Sequence, residues 1–361
     1  MPSPTPSRPQ RGHRGPPATN AAGDYVPAVE VTRGPIVESV HAAACAVAGP
    51  DGALKARLGS VEHPVFLRSS AKPFQAMAVV ESGAISRFGL TPPELAVIAG
   101  SHSSEPEHLE AVRSILGKIG LDASALQCGT HTPFSRRVAE AYRREGRPFT
   151  PLEHNCSGKH AGMLAAALAL GAGPASYLDL SHPVQQRVVG LLADITGRMR
   201  DRIVTAVDGC GAPTLGVSLA EAARAFARLL APSALAPRHA EAAMQVSEAM
   251  QAHPSLVAGQ GMLDTELTAM PGRRLIAKRG AEGVQCAAFI AEGAAHGLAA
   301  KIADGDNGRA RVALAVEALI QCGAISRSEA AHLSEVSQLS ITNNSGREVG
   351  MARAAFTLVR T

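Results

Sequence analysis

Ser69 and Lys72 form an S-x-x-K motif, a spacing that can pair a serine nucleophile with a lysine base. On a helix, residues three apart lie on one face, so the Ser69 hydroxyl could reach the Lys72 amine. A neutral Lys72 would then accept the proton as Ser69 attacks a carbonyl carbon. The N-terminus of such a helix would also offer backbone N–H groups to an oxyanion. The motif alone is weak, since a chain of this length also contains S-x-x-K by chance.

Two later segments could complete such a site. The run G-S-H-S over 100–103 predicts a sharp turn that could present Ser101 to a cleft, although this pattern also caps helices. Lys278 ends a short apolar strand and is followed by Arg279 and Gly280, which is similar to the K-T-G element of penicillin-binding enzymes. A charged β-turn is the ordinary alternative for that segment.

Two cysteines lie in the segments richest in reactive side chains. Cys156 belongs to the run H-N-C-S-G-K-H-A-G over 154–162, and Cys210 to D-G-C-G-A-P over 208–213. With a nearby His or Lys they could hold zinc, although their spacing is not that of a zinc finger or ribbon. Two buried thiols are the alternative. The six cysteines are scattered without a C-x-x-C, which indicates reduced thiols.

The elements that must position these residues run as strands, then helices, then strands and helices. Strands are predicted over 26–31, 36–47, 53–61, 274–278, 284–290, 297–303 and 354–359. Helices are predicted over 72–82, 93–99, 106–117, 135–144, 158–170, 183–196, 215–230, 238–252, 309–322 and 327–333. Such segregation favours an α+β fold with a central antiparallel sheet and an inserted helical subdomain. We expect a tail over 1–24, a sheet subdomain over 25–71 and 273–361, and a mainly helical subdomain over 72–272.

Composition excludes several classes of protein. The hydrophobic fraction is 46% and the charged fraction 18%, which excludes disorder for most of the chain. Aromatic residues are 3% with no Trp, and part of the net charge of +4 comes from arginines in the tail, so a nucleic-acid partner is not expected. No apolar stretch is long enough to span a membrane, and the first 24 residues lack a secretory h-region. We therefore expect a cytoplasmic protein with no membrane partner.

The order of the motifs is more specific than any one of them. R-S-S-A-K-P-F-Q-A, G-S-H-S, C-G-T-H-T-P, H-N-C-S-G-K-H-A-G-M, D-G-C-G-A-P and K-R-G-A-E-G-V follow one another along the chain. This series resembles the Rhizobium-type (class 3, asparaginase II) L-asparaginases, within the serine β-lactamase and penicillin-binding superfamily. The resemblance covers about Val29 to Val359 and implies a serine β-lactamase-like fold.

The resemblance also implies roles for individual residues. Ser69 matches the family nucleophile and Lys72 its base, whereas Ser101 and Lys278 match a second Ser–Lys pair. The implied zinc ligands are Cys156, Lys159 and Cys210. The implied substrate-binding residues are Asp208, which would hold the α-ammonium group, together with His102, Gly280 and Glu282. Arg279 stands where β-lactamases carry Thr, which argues against β-lactam recognition.

The implied reaction is hydrolysis of L-asparagine to L-aspartate and ammonia through a covalent acyl-enzyme, by a homodimer whose zinc organises the pocket. One alternative keeps the fold and changes the substrate to glutamine, a peptide or a β-lactam, because one methylene gives only ~1–3 kcal/mol of discrimination. A second alternative is a zinc-holding binding protein without catalysis. A third makes Cys156 the nucleophile.

Overall fold

A computed structural model describes residues 24–333 and 339–361. The tail predicted over 1–24 therefore lies outside the described residues, except for its last position. Among the described residues, no helix is long and apolar enough to cross a membrane.

Nine strands form one antiparallel sheet. Its main path has the spatial order β10-β11-β1-β2-β9-β8-β7, and β3 pairs with both β2 and β12. The strands are β1 (Val26–Arg33), β2 (Ile36–Ala48), β3 (Leu54–Leu58), β7 (Leu275–Arg279), β8 (Val284–Ala291), β9 (Ala294–Ile302), β10 (Ser340–Thr342), β11 (Glu348–Ala354) and β12 (Val359–Arg360). The long strand β2 is central, because its first part pairs with β1 and its last part with β3 and β9.

The sheet separates two hydrophobic cores. Successive residues of a strand point to opposite faces, so Ala44 and Ala46 of β2 join one core while Cys45 and Val47 join the other. The larger core holds most of the helices, and the smaller core holds the helix that follows β9. This layering leaves the end of β7 next to the first helix of the larger core.

Thirteen helices of the described residues cover the sheet. They are α1 (Lys72–Glu81), α2 (Ala84–Phe88), α3 (Pro92–Ala99), α4 (Pro106–Lys118), α5 (Arg136–Arg144), α6 (Ser157–Ala169), α7 (Pro183–Thr196), α8 (Leu219–Leu229), α9 (Pro237–Ala252), α10 (Pro254–Val257), α11 (Leu263–Thr268), α12 (Arg309–Gln321) and α13 (Arg327–Ala331). Helix α8 packs directly on β9 at Gly297, where an added Cβ would lie 1.9 Å from the carbonyl oxygen of Ala223. Only a residue without a side chain permits this approach of helix to sheet.

A second, three-stranded sheet lies among the helices. Its order is β4 (Pro64–Phe66), β6 (Pro213–Ser218) and β5 (Val204–Val207). The helix predicted over 215–230 is therefore wrong in its first turn, and α8 begins only after Ser218. The Ser218 hydroxyl accepts from the Glu221 amide and the Glu221 carboxylate from the Ser218 amide, so this capping box fixes the helix start.

The predicted fold class is confirmed: the protein is α+β, with a central antiparallel sheet flanked by helices. The strand predicted over 354–359 is wrong in its bounds. Strand β11 ends at Ala354, and β12 consists of only two residues, Val359–Arg360. A run rich in small apolar residues near a chain end does not by itself fix which of them pair. The predicted domain boundaries stay a prediction.

Candidate active site

Ser69 lies in a tight turn at the start of α1. The 3-10 turn Arg68–Ala71 leads directly into the helix, and Arg68 has the left-handed φ of +51°. Such a conformation is costly for a residue with a side chain, and it persists only where the surroundings enforce it. Ser69 is half-buried and lines a cavity of about 300 Å³, which it shares with Ser101. Its Oγ has no hydrogen-bond partner among the described residues.

The Ser101 hydroxyl lies between two buried lysine amines. The Nζ atoms of Lys72 and Lys278 are each 2.9 Å from its Oγ. Ser101 follows α3 through Gly100, where an added Cβ would be 2.6 Å from the carbonyl oxygen of Leu256, so the turn must be glycine. Ser101, Lys72 and Lys278 are at most 2% exposed, which excludes bulk water from the three-residue chain.

The surroundings of Lys72 suit a neutral amine. Its Nζ also donates to the carbonyl oxygens of Gly100 at 2.6 Å and Asn155 at 3.2 Å. A neutral amine has two N–H donors and one lone pair, so these two carbonyls use the donors and leave the lone pair facing the Ser101 hydroxyl. Burial lowers the pKa of Lys72, since the charged form loses its water.

Lys278 approaches the same hydroxyl from strand β7. Burial lowers the pKa of its amine to about 7, against the opposing influence of the buried Asp264 carboxylate. Two amines within 2.9 Å of one oxygen repel each other when both are charged. The pair therefore favours a single positive charge. The Ser101 hydroxyl can relay the extra proton from one amine to the other.

Contacts between the turn that precedes α1 and the end of β7 hold Lys72 and Lys278 on either side of Ser101. The Ser70 hydroxyl donates to the carbonyl oxygen of Lys278 at 2.9 Å. At Gly280 an added Cβ would lie 2.6 Å from the carbonyl oxygen of Leu67, so the strand approaches the turn before Ser69 too closely for any side chain. Gly280 lines the cavity, and its substrate-binding role stays a prediction.

The other predicted substrate-binding residues lie in different surroundings. Asp208 is ion-paired with Arg68, whose Nε and Nη2 lie 2.8 Å and 2.7 Å from the same carboxylate oxygen. Glu282 lies on the exposed turn after β7, with an oxygen 3.9 Å from Arg68 Nη1. His102 is fully buried, and its ring nitrogens bond the Ser157 hydroxyl and the Ser104 amide. Burial lowers the pKa of His102 well below its usual value, so this ring is neutral.

The predicted zinc ligands converge beside Lys72. The Lys159 Nζ is 2.9 Å from Cys210 Sγ, and the free thiol of Cys156 is near enough to that of Cys210 for the two to affect each other's pKa. All three side chains are at most 4% exposed. The Cys210 thiol lowers the pKa of the Cys156 thiol, while Cys156 and burial raise the pKa of Cys210.

This donor set fits zinc. Thiolates are soft ligands that zinc favours, and a neutral amine can complete a set of three. Burial alone would lower the pKa of Lys159, but the neighbouring thiols raise it above its usual value. Among the described residues no group of three His, Cys, Asp or Glu side chains could hold a metal, and this set contains only two such residues.

Sequence reasoning missed a polar wall of the cavity that the two serines also line. It consists of Arg279, Arg311 and Asn307, with Phe134 and Asn155 at its sides. The Arg279 guanidinium stacks on the Phe134 ring at 4.8 Å from its centroid. In sequence Arg279 ends a strand, Asn307 lies in a turn and Arg311 lies in a helix, and only the fold brings them to one cavity.

Comparison with known proteins places this site in a family. The L-asparaginase II family model matches residues 29–354, so the chain belongs to the L-asparaginase II family. This membership indicates an amidohydrolase. No curated protein matches the chain.

Several solved structures are similar at low identity. Mglu in its native form is 15% identical at a TM-score of 0.39, and the match covers 84% of this chain and 66% of that chain. A second structure of Mglu is 16% identical at a TM-score of 0.41, covering 81% of this chain and 67% of that one. A β-lactamase from Burkholderia ambifaria is 14% identical at 0.34, covering 76% and 91%. The chain thus spans just under two thirds of the first Mglu chain.

Proposed function

We propose that this protein hydrolyses L-asparagine to L-aspartate and ammonia, with Ser69 as nucleophile. The observation that carries the proposal is the Ser101 oxygen held 2.9 Å from both Lys72 and Lys278, in the cavity that Ser69 lines. Family membership supports an amidohydrolase, and the two lysines supply a base and an acid within one hydrogen-bonded chain.

The acylation step begins with the neutral Lys72 amine. Ser69 Oγ bonds to the side-chain amide carbon while its proton passes to the Ser101 hydroxyl, which gives its own proton to the Lys72 lone pair. The described residues show no hydrogen bond between Ser69 and Ser101, and such contacts commonly tighten only when substrate binds. The tetrahedral intermediate then breaks its C–N bond, and the leaving amine takes a proton relayed through Ser101.

Backbone N–H groups are suited to hold the oxyanion. The Ser69 amide is at the start of a 3-10 turn, where no acceptor exists within the turn. The Ala281 amide follows β7 and lacks a backbone acceptor among the described residues. Both residues line the cavity, and each such donor contributes about 3 kcal/mol to the transition state.

Deacylation reverses the order of proton transfers. Water attacks the aspartyl ester carbon, gives its proton to Lys72, and Ser69 Oγ leaves with a proton from the same chain. The reaction ends with the lysine pair holding one proton, as it began. No proton has to be drawn from bulk water between the two half-reactions.

Asp208 acts in this proposal through Arg68. Its carboxylate holds the Arg68 side chain and thereby enforces the left-handed backbone that directs Ser69 into the cavity. In this proposal Asp208 is a positioning residue, because it acts on Ser69 through Arg68. The ammonium role stays a prediction.

Cys156, Lys159 and Cys210 would hold zinc. A bound zinc ion would supply positive charge beside Lys72 and order the loop that carries Asn155. The chain itself keeps the Asn155 carbonyl oxygen 3.2 Å from Lys72 Nζ, so that the lone pair of the amine points at the Ser101 hydroxyl. No step above requires the metal.

The test is ammonia release from L-asparagine and from L-glutamine by the purified protein, with Ser69→Ala and Ser70→Ala beside it. We expect activity in the wild type and its loss in Ser69→Ala. Ser70→Ala is the neighbouring variant, and we expect it to lower activity only in part, because the Ser70 hydroxyl bonds Lys278 O and does not line the cavity. Equal activity in Ser69→Ala and the wild type would refute the proposal.

A second candidate nucleophile is Ser101. It is favoured by its two lysine contacts, because no other described serine has an amine on both sides. Mass spectrometry of the acid-quenched enzyme separates the candidates, since the aspartyl group adds its mass to the peptide containing either Ser69 or Ser101. An adduct on Cys156 would instead support the thiol alternative.

A further inference from the structure

The cavity beside Ser69 is built for an anion. Its nine lining residues include two arginines and no carboxylate. The nearest buried acid, Asp264, is already bonded to the Arg279 amide at 2.7 Å and to Gln285 Nε2 at 2.9 Å. Burial would raise the pKa of Asp264, but Lys278, Arg279 and Arg311 around it lower that pKa below its usual value. Asp264 thus offsets part of the positive charge without facing a ligand.

Arg311 presents a donor that nothing in the described chain uses. The residue is 5% exposed, its Nε donates to the carbonyl oxygen of Asn307 at 3.0 Å, and its Nη1 donates to Gln285 Oε1. Its Nη2 has no hydrogen-bond partner among residues 24–333 and 339–361. This atom, unlike Nη2 of Arg279, is not shielded from solvent, so it is a donor that an acceptor in the cavity could reach.

Arg279 adds a second unsatisfied guanidinium on the same wall. Within the part of the chain that the structure describes, its Nη2 is shielded from water without a partner, and its Nη1 reaches only the Met262 sulfur at 3.9 Å. The Phe134 ring holds the guanidinium plane in place. Asn307 completes the wall, because its Oδ1 accepts from the Gly283 amide and leaves Nδ2 free as a further donor. Two guanidinium groups and an amide N–H match the acceptors of one carboxylate.

We propose that Arg279 and Arg311, with Asn307, bind a free carboxylate of the substrate and thereby restrict the enzyme to small amides that carry one. This inference rests on the proposed function and names its substrate class. A cavity of about 300 Å³ is at the small end for ligand sites, so the amide and the carboxylate belong to one short molecule. An asparagine inside a peptide has no free α-carboxylate and is excluded.

Two analogues of asparagine separate the parts of this recognition. Succinamic acid keeps the carboxylate and lacks the α-amine, whereas β-alaninamide keeps the amine and lacks the carboxylate. We expect wild-type kcat/KM for ammonia release to be at least about tenfold higher with succinamic acid, since a charge-assisted hydrogen bond discriminates by about 10- to 100-fold. Equal rates, or a preference for β-alaninamide, would overturn the inference.

Arg279→Met tests the side chain itself. We expect kcat/KM with succinamic acid to fall about 10- to 100-fold and that with β-alaninamide to change less than about threefold. Arg309→Met is the matched control, because Arg309 lies exposed on the same turn as Asn307 and lines a neighbouring cavity instead. An equal loss with both analogues would mean that Arg279 supports the oxyanion or the fold, and would overturn the inference.

A binding measurement makes the test independent of turnover. Calorimetric titration of Ser69→Ala with succinate should give a Kd about tenfold or more lower than the Kd of the double variant that also carries Arg279→Met. Unchanged affinity would contradict the inference. If the wild type released ammonia from asparagine but not preferentially from succinamic acid, only the carboxylate site would fail. If it released none from asparagine, the proposed function would fail with it.

Discussion

The charge state of Lys72 and Lys278 predicts that kcat/KM falls at acid pH, which gives the pH profile an acid limb. The Lys72–Lys278 pair takes up its second positive charge as pH falls through about 7, the pKa to which burial lowers Lys278, and no neutral amine is then left to act as the base. The groups that face its amine are Asp264, Lys72, Arg279 and Cys156. At pH 6 about a tenth of the molecules keep a neutral amine, and at pH 5 about a hundredth. We expect kcat/KM for asparagine to fall by these factors and to reach a plateau above about pH 8.

Asp264→Asn should move this limb to lower pH. The Asp264 carboxylate raises the pKa of Lys278 by stabilising its charged form, so removing the charge lowers that pKa. A neighbouring opposite charge is worth about one to three pKa units, and the limb should move by about that amount. Asn keeps an oxygen for the Arg279 amide, so the backbone contact survives.

The assay is initial-rate ammonia release between pH 5 and 9, at substrate concentrations below KM. Lys301→Met is the control, because Lys301 donates to the carbonyl oxygen of Ile302 and lies outside the active cavity. A buried histidine would not produce the limb, since the pKa of His102 is far lower. A flat profile down to pH 5, or an upward shift in Asp264→Asn, would refute the reasoning.

Three further predictions concern the fold, the metal and the nucleophile turn. Gly297→Ala should lower the free energy of unfolding in urea by about 3 kcal/mol or more, because the new Cβ would lie 1.9 Å from Ala223 O. Gly117→Ala is the control: its helix face is open, so the same change should raise that free energy by about 0.5–1 kcal/mol. Cys210→Ser should abolish zinc retention after dialysis, measured by elemental analysis, and raise KM more than it lowers kcat; retained stoichiometric zinc would exclude Cys210 as a ligand. Asp208→Asn should lower kcat about 10- to 100-fold by releasing Arg68, and unchanged kcat would remove its positioning role.

Much of the helical framework could be predicted from local signals. Helix α7 spans the predicted residues 183–196, because His182 caps it, Pro183 starts it and Gly197 ends it with a left-handed φ of +72°. The S-x-x-K spacing likewise depends on one helical turn. Such features are encoded within a few residues, and sequence reasoning reaches them.

The remaining parts depend on distant contacts. Strand β6 reads as helix in sequence because its few residues run into an alanine-rich stretch, and periodicity over six residues cannot separate the two. The polar wall of the cavity is a similar case. Arg279 ends a strand and Arg311 lies one turn into a helix, so each reads as an ordinary surface residue until the fold buries both beside Ser69.

The positive charge of the cavity also affects release of the product. Asparagine at neutral pH has no net charge, whereas aspartate carries one negative charge more, created beside Ser69 where two lysines and two arginines are close. For the proposed reaction we therefore expect the pocket to hold the product more strongly than the substrate. Product inhibition by aspartate, weakened by added salt, is the expected consequence, and turnover would then be limited by departure of the product rather than by cleavage of the amide.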